Sequence, residues 1–135
     1  MAAATTDRNT KYRDGHDFTF PVKADEVIPS GVMVALLAGV AVNAEADTDL
    51  VVVGMSTYPV DNTGGSDGDV RVNVSKQGLR RFFNSAAADA ITVQEIGSAC
   101  YVVDNQTVAK TSATNSRPVA GTIADVDADG VWVKF

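Results

Sequence analysis

The stretch AGTIADVDADGVWVKF (Ala120–Phe135) is compatible with two very different structures. It carries Asp125, Asp127 and Asp129 at alternate positions, followed directly by Gly130. Calcium-binding EF-hand loops begin in the same way. Such a loop also requires a glutamate six residues after the glycine and a helix on each side. The sequence has no glutamate after Gly130, so the pattern is incomplete.

The residues on both sides of these aspartates alternate as they do in β-strands. Ile123, Val131 and Val133 are apolar and are separated by other residues at a period of two, with no helical period. Glycine after aspartate favours a hairpin turn, because glycine accepts a positive φ without steric cost. The sequence therefore predicts that DADG (127–130) is the tip of a β-hairpin and that the protein holds no metal. Any metal bound here would be held weakly and shared with a neighbouring chain.

The composition predicts β structure along the rest of the chain. Hydrophobic residues make up 45% of the sequence and are mainly Val and Ala, whereas aromatic residues make up 7%. Val and Thr favour strands, and clusters of Gly, Asn and Asp such as DNTGGSDGD (61–69) favour loops. This pattern gives about nine short strands, with turn signals every eight to twelve residues or so, as in barrels and sandwiches. We therefore predict an all-β fold, a small antiparallel β-barrel or β-sandwich.

Two local patterns refine this prediction. The most hydrophobic run, GVMVALLAGVAV (Gly31–Val42), reads as a buried pair of strands interrupted at Gly39. Thr92 and Glu95 have the spacing of a capping box, and Gly97 is placed to end the turn that they would start. The sequence thus predicts at most one short helix.

The beginning of the chain has a different character. Residues 1–17 contain three basic and three acidic side chains but no hydrophobic period, so we predict an extended, flexible N-terminal arm. Residues 18–135 form the predicted β domain. The arm is either a frayed terminus or a segment that orders against a partner. In the second case Tyr12 is a possible anchor. Phe18 and Phe20 are expected where the arm joins the domain.

Charge and cysteine content narrow the functional classes. The net charge is −6, which repels phosphate backbones and argues against nucleic-acid binding as the main activity. No apolar run approaches the ~20 residues of a membrane helix, so no membrane partner is predicted. Cys100 is the one cysteine, which excludes an internal disulfide and fits a reducing cytoplasm. The first residues lack the apolar core of a secretory signal, so none is expected.

The sequence shows no group of residues with the spacing or chemistry of a catalytic site. The single histidine, His16, lies in the arm, and Cys100 lies in an alternating segment where a buried small hydrophobic residue is expected. No phosphate-binding loop, dinucleotide fingerprint or zinc spacing is present, so no enzyme activity and no cofactor are predicted. Arg80 and Arg81 adjoin two phenylalanines in LRRFFNSA (79–86). We interpret them as part of a strand with one apolar face and an exposed arginine, although single-strand base stacking is the alternative.

Three longer segments resemble a known protein family. They are YPVDNTGGSDGDVRV (58–72), FFNSAAADAIT (82–92) and CYVVDNQTVAKTSATNSRPVAGTIADVDADGVWV (100–133). They resemble the small capsid cement, or head decoration, proteins of tailed bacteriophages, especially Mu-like phages. The resemblance covers roughly residues 22–135 and is weakest in the arm. Trp132, the single tryptophan, lies in the part that matches best and is expected in the core or at a subunit interface.

The resemblance implies a structural virion protein without enzymatic activity. Such proteins bind the outer surface of the phage head after assembly in the host cytoplasm, contact the major capsid protein and commonly act as homo-trimers. They hold neighbouring capsid subunits together against the pressure of packaged DNA. A carbohydrate- or host-surface-binding β module is the alternative. The residues that we expect at capsid or subunit contacts are Arg8, Lys11, Tyr12, Arg13, Phe18, Arg80, Arg81 and Trp132.

Overall fold

A computed structural model describes residues 2–135, and it confirms the predicted all-β class. Twelve strands account for the regular structure. The two remaining elements are single 3₁₀ turns, Ala87–Asp89 and Val93–Glu95, and these 134 residues contain no α-helix. In chain order the strands are β1 (Asp17–Pro21), β2 (Val27–Ile28), β3 (Met33–Leu37), β4 (Val40–Asn43), β5 (Val51–Ser56), β6 (Val60–Asp61), β7 (Arg71–Ser75), β8 (Arg80–Asn84), β9 (Ala99–Asp104), β10 (Thr107–Ala109), β11 (Val119–Asp127) and β12 (Gly130–Lys134).

The first half of the chain forms a curled antiparallel sheet in the order β1-β7-β5-β3-β4. Val22, directly after β1, forms a parallel bridge with Ala41 of β4, and the Lys23 amide donates to the Ala41 carbonyl at 3.0 Å. The two edges of the sheet therefore meet. Strands β2 and β6 form a separate two-stranded ribbon. The curled sheet encloses a small apolar core of Val22, Ile28, Val34, Ala41, Val53, Val72 and Val74.

The second half forms a closed five-stranded barrel in the order β10-β8-β12-β11-β9. All its pairs are antiparallel except β10 with β8, which is parallel. Its core also contains residues of the curled sheet, because Met33 and Ala35 of β3 pack in the same cluster as the barrel side chains. Both sheets therefore contribute to this second, larger core, which we call the shared core. Its barrel members are Phe82, Ile91, Cys100, Val102, Val108, Ala120, Ile123, Val131 and Val133.

The predicted hairpin at DADG is confirmed. Strands β11 and β12 are antiparallel neighbours, and Asp127 pairs with Gly130 across the turn. The Asp127 carboxylate caps this turn by accepting hydrogen bonds from the backbone amides of Asp129 at 2.8 Å and Gly130 at 3.1 Å. The first of the three aspartates, Asp125, accepts a bond from the Val126 amide. These two side chains therefore stabilise the turn and its strand.

The predicted strand pair in Gly31–Val42 is also confirmed. Strands β3 and β4 pair directly, with Leu37 opposite Val40. Ala38 and Gly39 form the two-residue turn with φ values of 49° and 89°. Positive φ at both central positions is the conformation that matches the twist of the flanking strands. Glycine adopts it freely, so the break that the sequence indicates at Gly39 is the turn itself.

The capping box predicted at Thr92 is present at the 3₁₀ turn Val93–Glu95. The Thr92 hydroxyl accepts from the Gln94 amide at 3.3 Å, and the Glu95 carboxylate accepts from the Thr92 amide at 2.6 Å. The other turn, Ala87–Asp89, has no capping side chain. It was therefore not recognisable from its alanine-rich sequence.

Residues 2–16 form no strand or 3₁₀ turn and are exposed to solvent. Strand β1 begins at Asp17, the last residue of the predicted arm, and Met1 lies outside the described residues. The curled sheet ends on one side with β1, and Pro21 is its last residue. Proline has no backbone N–H to donate to a neighbouring strand. At the end of an edge strand this loss breaks no hydrogen bond of a central ladder. Across residues 2–135 no helix is long and apolar enough to cross a membrane.

Candidate interaction surfaces

The arm presents its polar side chains to solvent. Arg8 and Lys11 are exposed and form no ion pair with the rest of residues 2–135. The Tyr12 side chain is 88% exposed, and its hydroxyl donates to the Asp14 carboxylate at 2.7 Å. This hydrogen bond raises the pKa of Tyr12. Residues 2–12 thus form no ion pair or hydrogen bond with the β domain within residues 2–135, which leaves their side chains available to another surface.

The arm becomes fixed at Arg13. The Arg13 guanidinium lies 5.6 Å from the centre of the Phe18 ring, and the Lys76 ammonium lies 5.7 Å from the same centre. Both distances are within the range of cation–π attraction. The Lys76 amide also donates to the His16 carbonyl at 2.7 Å. These contacts hold Arg13 and His16 against the start of β1 and the residue that follows β7.

A groove lies beside this junction. Its volume is about 780 Å³, and we call it the β1–β7 groove. Its floor comes from β1 and β7, and one wall comes from Thr57 and Tyr58, which follow β5. The Tyr58 side chain is 66% exposed. The lining residues are Arg13, Asp17, Phe18, Thr19, Phe20, Thr57, Tyr58, Arg71, Asn73 and Val74.

Arg81 and Trp132 meet on the outside of the barrel. They are paired across β8 and β12, and the Arg81 guanidinium lies 5.8 Å from the centre of the indole ring. Arg81 also forms an ion pair with Asp129 at 3.5 Å. Both charged side chains are well exposed, so this ion pair contributes little stability. Beside it a small cleft of about 200 Å³ includes Phe83, whose side chain is 58% exposed.

The Trp132 indole has a defined partner. Its N–H donates to the Asp127 carboxylate at 2.8 Å. This bond, together with the two turn amides, lowers the pKa of Asp127, with Arg81 adding a smaller effect. Trp132 is half-buried and belongs to neither core cluster. A position in the core, one of its two predicted roles, is therefore wrong, and the interface role stays a prediction.

Arg80 does not take part in the contact between Arg81 and Trp132. It is half-buried, and its Nε is a buried donor without a hydrogen-bond partner in residues 2–135. Its closest polar contact runs from Nη2 to the Ser75 hydroxyl at 3.5 Å. Because side chains alternate along β8, Arg81 and Phe83 face outward while Phe82 is buried. The structure thus separates the two arginines that the sequence grouped together.

Several residues at these surfaces were not singled out from the sequence. Tyr58, Arg71 and Asn73 become neighbours of β1 only through pairing with distant strands. Phe83 could have been identified from the sequence, because it lies two residues after Arg81 and so shares its strand face. An exposed aromatic beside an arginine on one strand face is a pattern found at protein interfaces.

The two side chains considered for catalysis, His16 and Cys100, lie in different environments. His16 is exposed in the arm. Cys100 is fully buried in the barrel core, which confirms its predicted packing role. Burial raises the pKa of the Cys100 thiol to about 11. At neutral pH this thiol is therefore protonated and shielded, and it lacks the thiolate character of a nucleophile.

This state of Cys100 can be tested by thiol labelling. We expect the native protein at pH 7 to react with a water-soluble disulfide reagent far more slowly than the protein in denaturant, since only unfolding exposes the thiol. The measurement is the release of the coloured leaving group over time. Native labelling as fast as labelling in denaturant would show that Cys100 is accessible.

Comparisons with family models, with curated proteins and with solved structures found no match to this chain.

Proposed function

We propose that this protein is a capsid decoration protein that binds the outer surface of a tailed-phage head and cements neighbouring major capsid subunits. The proposal starts from the resemblance of residues 22–135 to cement proteins. The observation that supports it best is the arm. Ala2–Tyr12 is exposed, its cationic side chains form no ion pair within the described chain, and Tyr12 hydrogen-bonds only to Asp14, which also lies in the arm.

The arrangement suits two-part attachment. The β domain offers one docking surface at Arg81, Trp132 and Phe83, where aromatic and arginine side chains of the kind enriched at interfaces lie together. The arm offers a second, connected through the Arg13–Phe18 contact. Once the domain has docked, the arm binds at a high effective concentration, so the joint affinity exceeds that of either part. A homo-trimer, which the resemblance implies, would multiply this gain.

The arm also gives a reason for selectivity. Ordering a flexible segment costs conformational entropy, which is offset only where the receiving surface is complete. We therefore propose that the protein binds expanded heads, whose subunits have reached their final positions, in preference to unexpanded precursors. The protein acts as a structural component in this role and needs neither a catalytic residue nor a cofactor.

Deletion of residues 2–12 is the direct test. Retaining Arg13 keeps the contact with Phe18, so the domain should fold as before. We expect the full-length protein to co-sediment with expanded heads that lack it, at a fixed stoichiometry, and to raise their melting temperature. The deletion variant should bind at least about a hundredfold more weakly, because the second attachment is lost.

Point variants separate side-chain contacts from arm length. The triple variant Arg8→Ala/Lys11→Ala/Tyr12→Ala should lose most of the affinity that the deletion loses. Lys23→Ala, which removes an exposed cation outside both the arm and the Arg81–Trp132–Phe83 surface, should bind like the unchanged protein. Failure of the full-length protein to co-sediment would refute the cement role, and equal binding to precursors would refute the proposed selectivity.

A further inference from the structure

The β1–β7 groove has the features of a ligand-binding site. Its volume of about 780 Å³ lies in the range of small-molecule sites. Thr19 and Asn73 are directly opposite each other in the β1–β7 register. They lie on the strand face opposite to buried Val72 and Val74, as does Arg71. The floor of the groove is therefore a polar sheet face, with Tyr58 as an exposed aromatic wall.

Several polar groups of the groove keep unused hydrogen-bonding capacity. Within residues 2–135 the Asn73 side-chain amide, the Tyr58 hydroxyl and the Arg13 guanidinium form no hydrogen bond, although the Arg13 guanidinium lies over the Phe18 ring. Arg71 is oriented by two bonds, from Nε to the Thr19 hydroxyl at 3.1 Å and from Nη2 to the Thr19 carbonyl at 2.9 Å. A guanidinium has five donors, so Arg71 retains others for a ligand while its position is fixed.

The charge of the groove contrasts with that of the protein. Arg13 and Arg71 place two guanidiniums there against the single carboxylate of Asp17. The whole chain carries −6, so a polyanion would be repelled as it approached. A ligand with one negative charge suffers little from this repulsion and gains a charge-assisted bond to an arginine. The groove is thus suited to one carboxylate on an otherwise neutral molecule.

We infer that the β1–β7 groove binds an acidic sugar, a hydroxyl-rich ring that carries one carboxylate. Arg71 and Arg13 bind the carboxylate, Asn73 bonds the hydroxyl groups, and the Tyr58 ring packs against the apolar face of the sugar. An acidic peptide fits less well. Its several carboxylates would be repelled by the net charge of −6, whereas a single carboxylate largely avoids this repulsion. This site includes Arg13 at the end of the arm, but it does not use Ala2–Tyr12 and does not depend on the proposed cement role.

Nuclear magnetic resonance titration of the full chain labelled with ¹⁵N tests this inference. The probes are glucuronic acid, glucose and tetraglutamate. Glucuronic acid should produce saturable shifts at Thr19, Tyr58, Arg71 and Asn73. Glucose, which lacks the carboxylate, should bind at least about tenfold more weakly at the same residues.

Variants assign the roles. Arg71→Gln should lower the affinity for glucuronic acid toward that for glucose, with Arg13 keeping part of the preference, and should leave glucose unchanged, whereas Asn73→Ala should weaken both. Arg81→Gln, an equivalent change outside the groove, should alter neither. The ¹⁵N spectrum itself shows whether each variant is folded. The inference is overturned if glucuronic acid gives no saturable shifts at the groove, if glucose binds equally well, or if tetraglutamate binds there more tightly.

Discussion

Replacing Phe82 with alanine is expected to lower the free energy of unfolding by about 3–5 kcal/mol, a large fraction of the stability of a domain of this size. The Phe82 side chain is 4% exposed and belongs to the shared core. Its ring packs edge-on against Phe135, with the ring centres 5.8 Å apart. Truncation leaves a cavity bounded by strands of a closed barrel, which cannot collapse freely to fill it.

Phe83 provides a matched control in the next position of the chain. Its side chain is 58% exposed, so Phe83→Ala should change the free energy of unfolding by about 0.5 kcal/mol or less. Urea denaturation of both variants measures this difference. The slope of the unfolding free energy against urea concentration should be the same for both variants. Similar losses for the two variants would mean that β8 does not present Phe82 and Phe83 to opposite sides.

The sequence was most informative where structure is local. The hairpin at DADG and the β3–β4 pair each join neighbouring strands, and their turns depend on Gly130 and Gly39 within a few residues. The capping box at Thr92 is local as well. Such features are readable because the residues that determine them are adjacent in the chain and act through backbone conformation.

The arrangement of the sheets could not be read in the same way. Strand β1 pairs with β7, which begins fifty residues after β1 ends (Pro21 to Arg71), and nothing in either sequence selects the other. The parallel pair β10–β8 and the bridge of Val22 to Ala41 also join segments that are far apart in the chain, so no local sequence pattern predicts them. Pairing of this kind depends on total burial and loop closure, which alternation alone does not specify.

The same distinction applies to the candidate surfaces. The contact between Arg13 and Phe18 joins residues five positions apart in the chain, so it is local. The Arg81–Trp132 contact depends on the pairing of β8 with β12. The β1–β7 groove likewise depends on a distant pair, so Tyr58 and Asn73 had no signal of their own. Residues on a strand face become a site only when the neighbouring strand is known.

Substitution of Gly130 by alanine is expected to destabilise the protein by about 3 kcal/mol or more, through two additive causes. The φ of Gly130 is +156°, which side-chain-bearing residues rarely adopt. A Cβ at this position would also overlap the Phe82 carbonyl oxygen, a backbone atom that cannot rotate away. The measurement is again the midpoint and slope of urea denaturation.

Gly78→Ala separates these two causes. Gly78 has a φ of +65°, but a Cβ there would meet nothing within 4 Å, so only the conformational cost of about 1–2 kcal/mol should appear. The excess loss in Gly130→Ala then measures the overlap with β8 together with the higher backbone cost of φ +156°. Because β12 lies between β8 and β11, moving it away from Phe82 strains both ladders and opens a barrel that otherwise has no free edge. Equal losses in the two variants would mean that β12 can shift at little cost, and that the barrel is less rigidly closed than its strand pairing indicates.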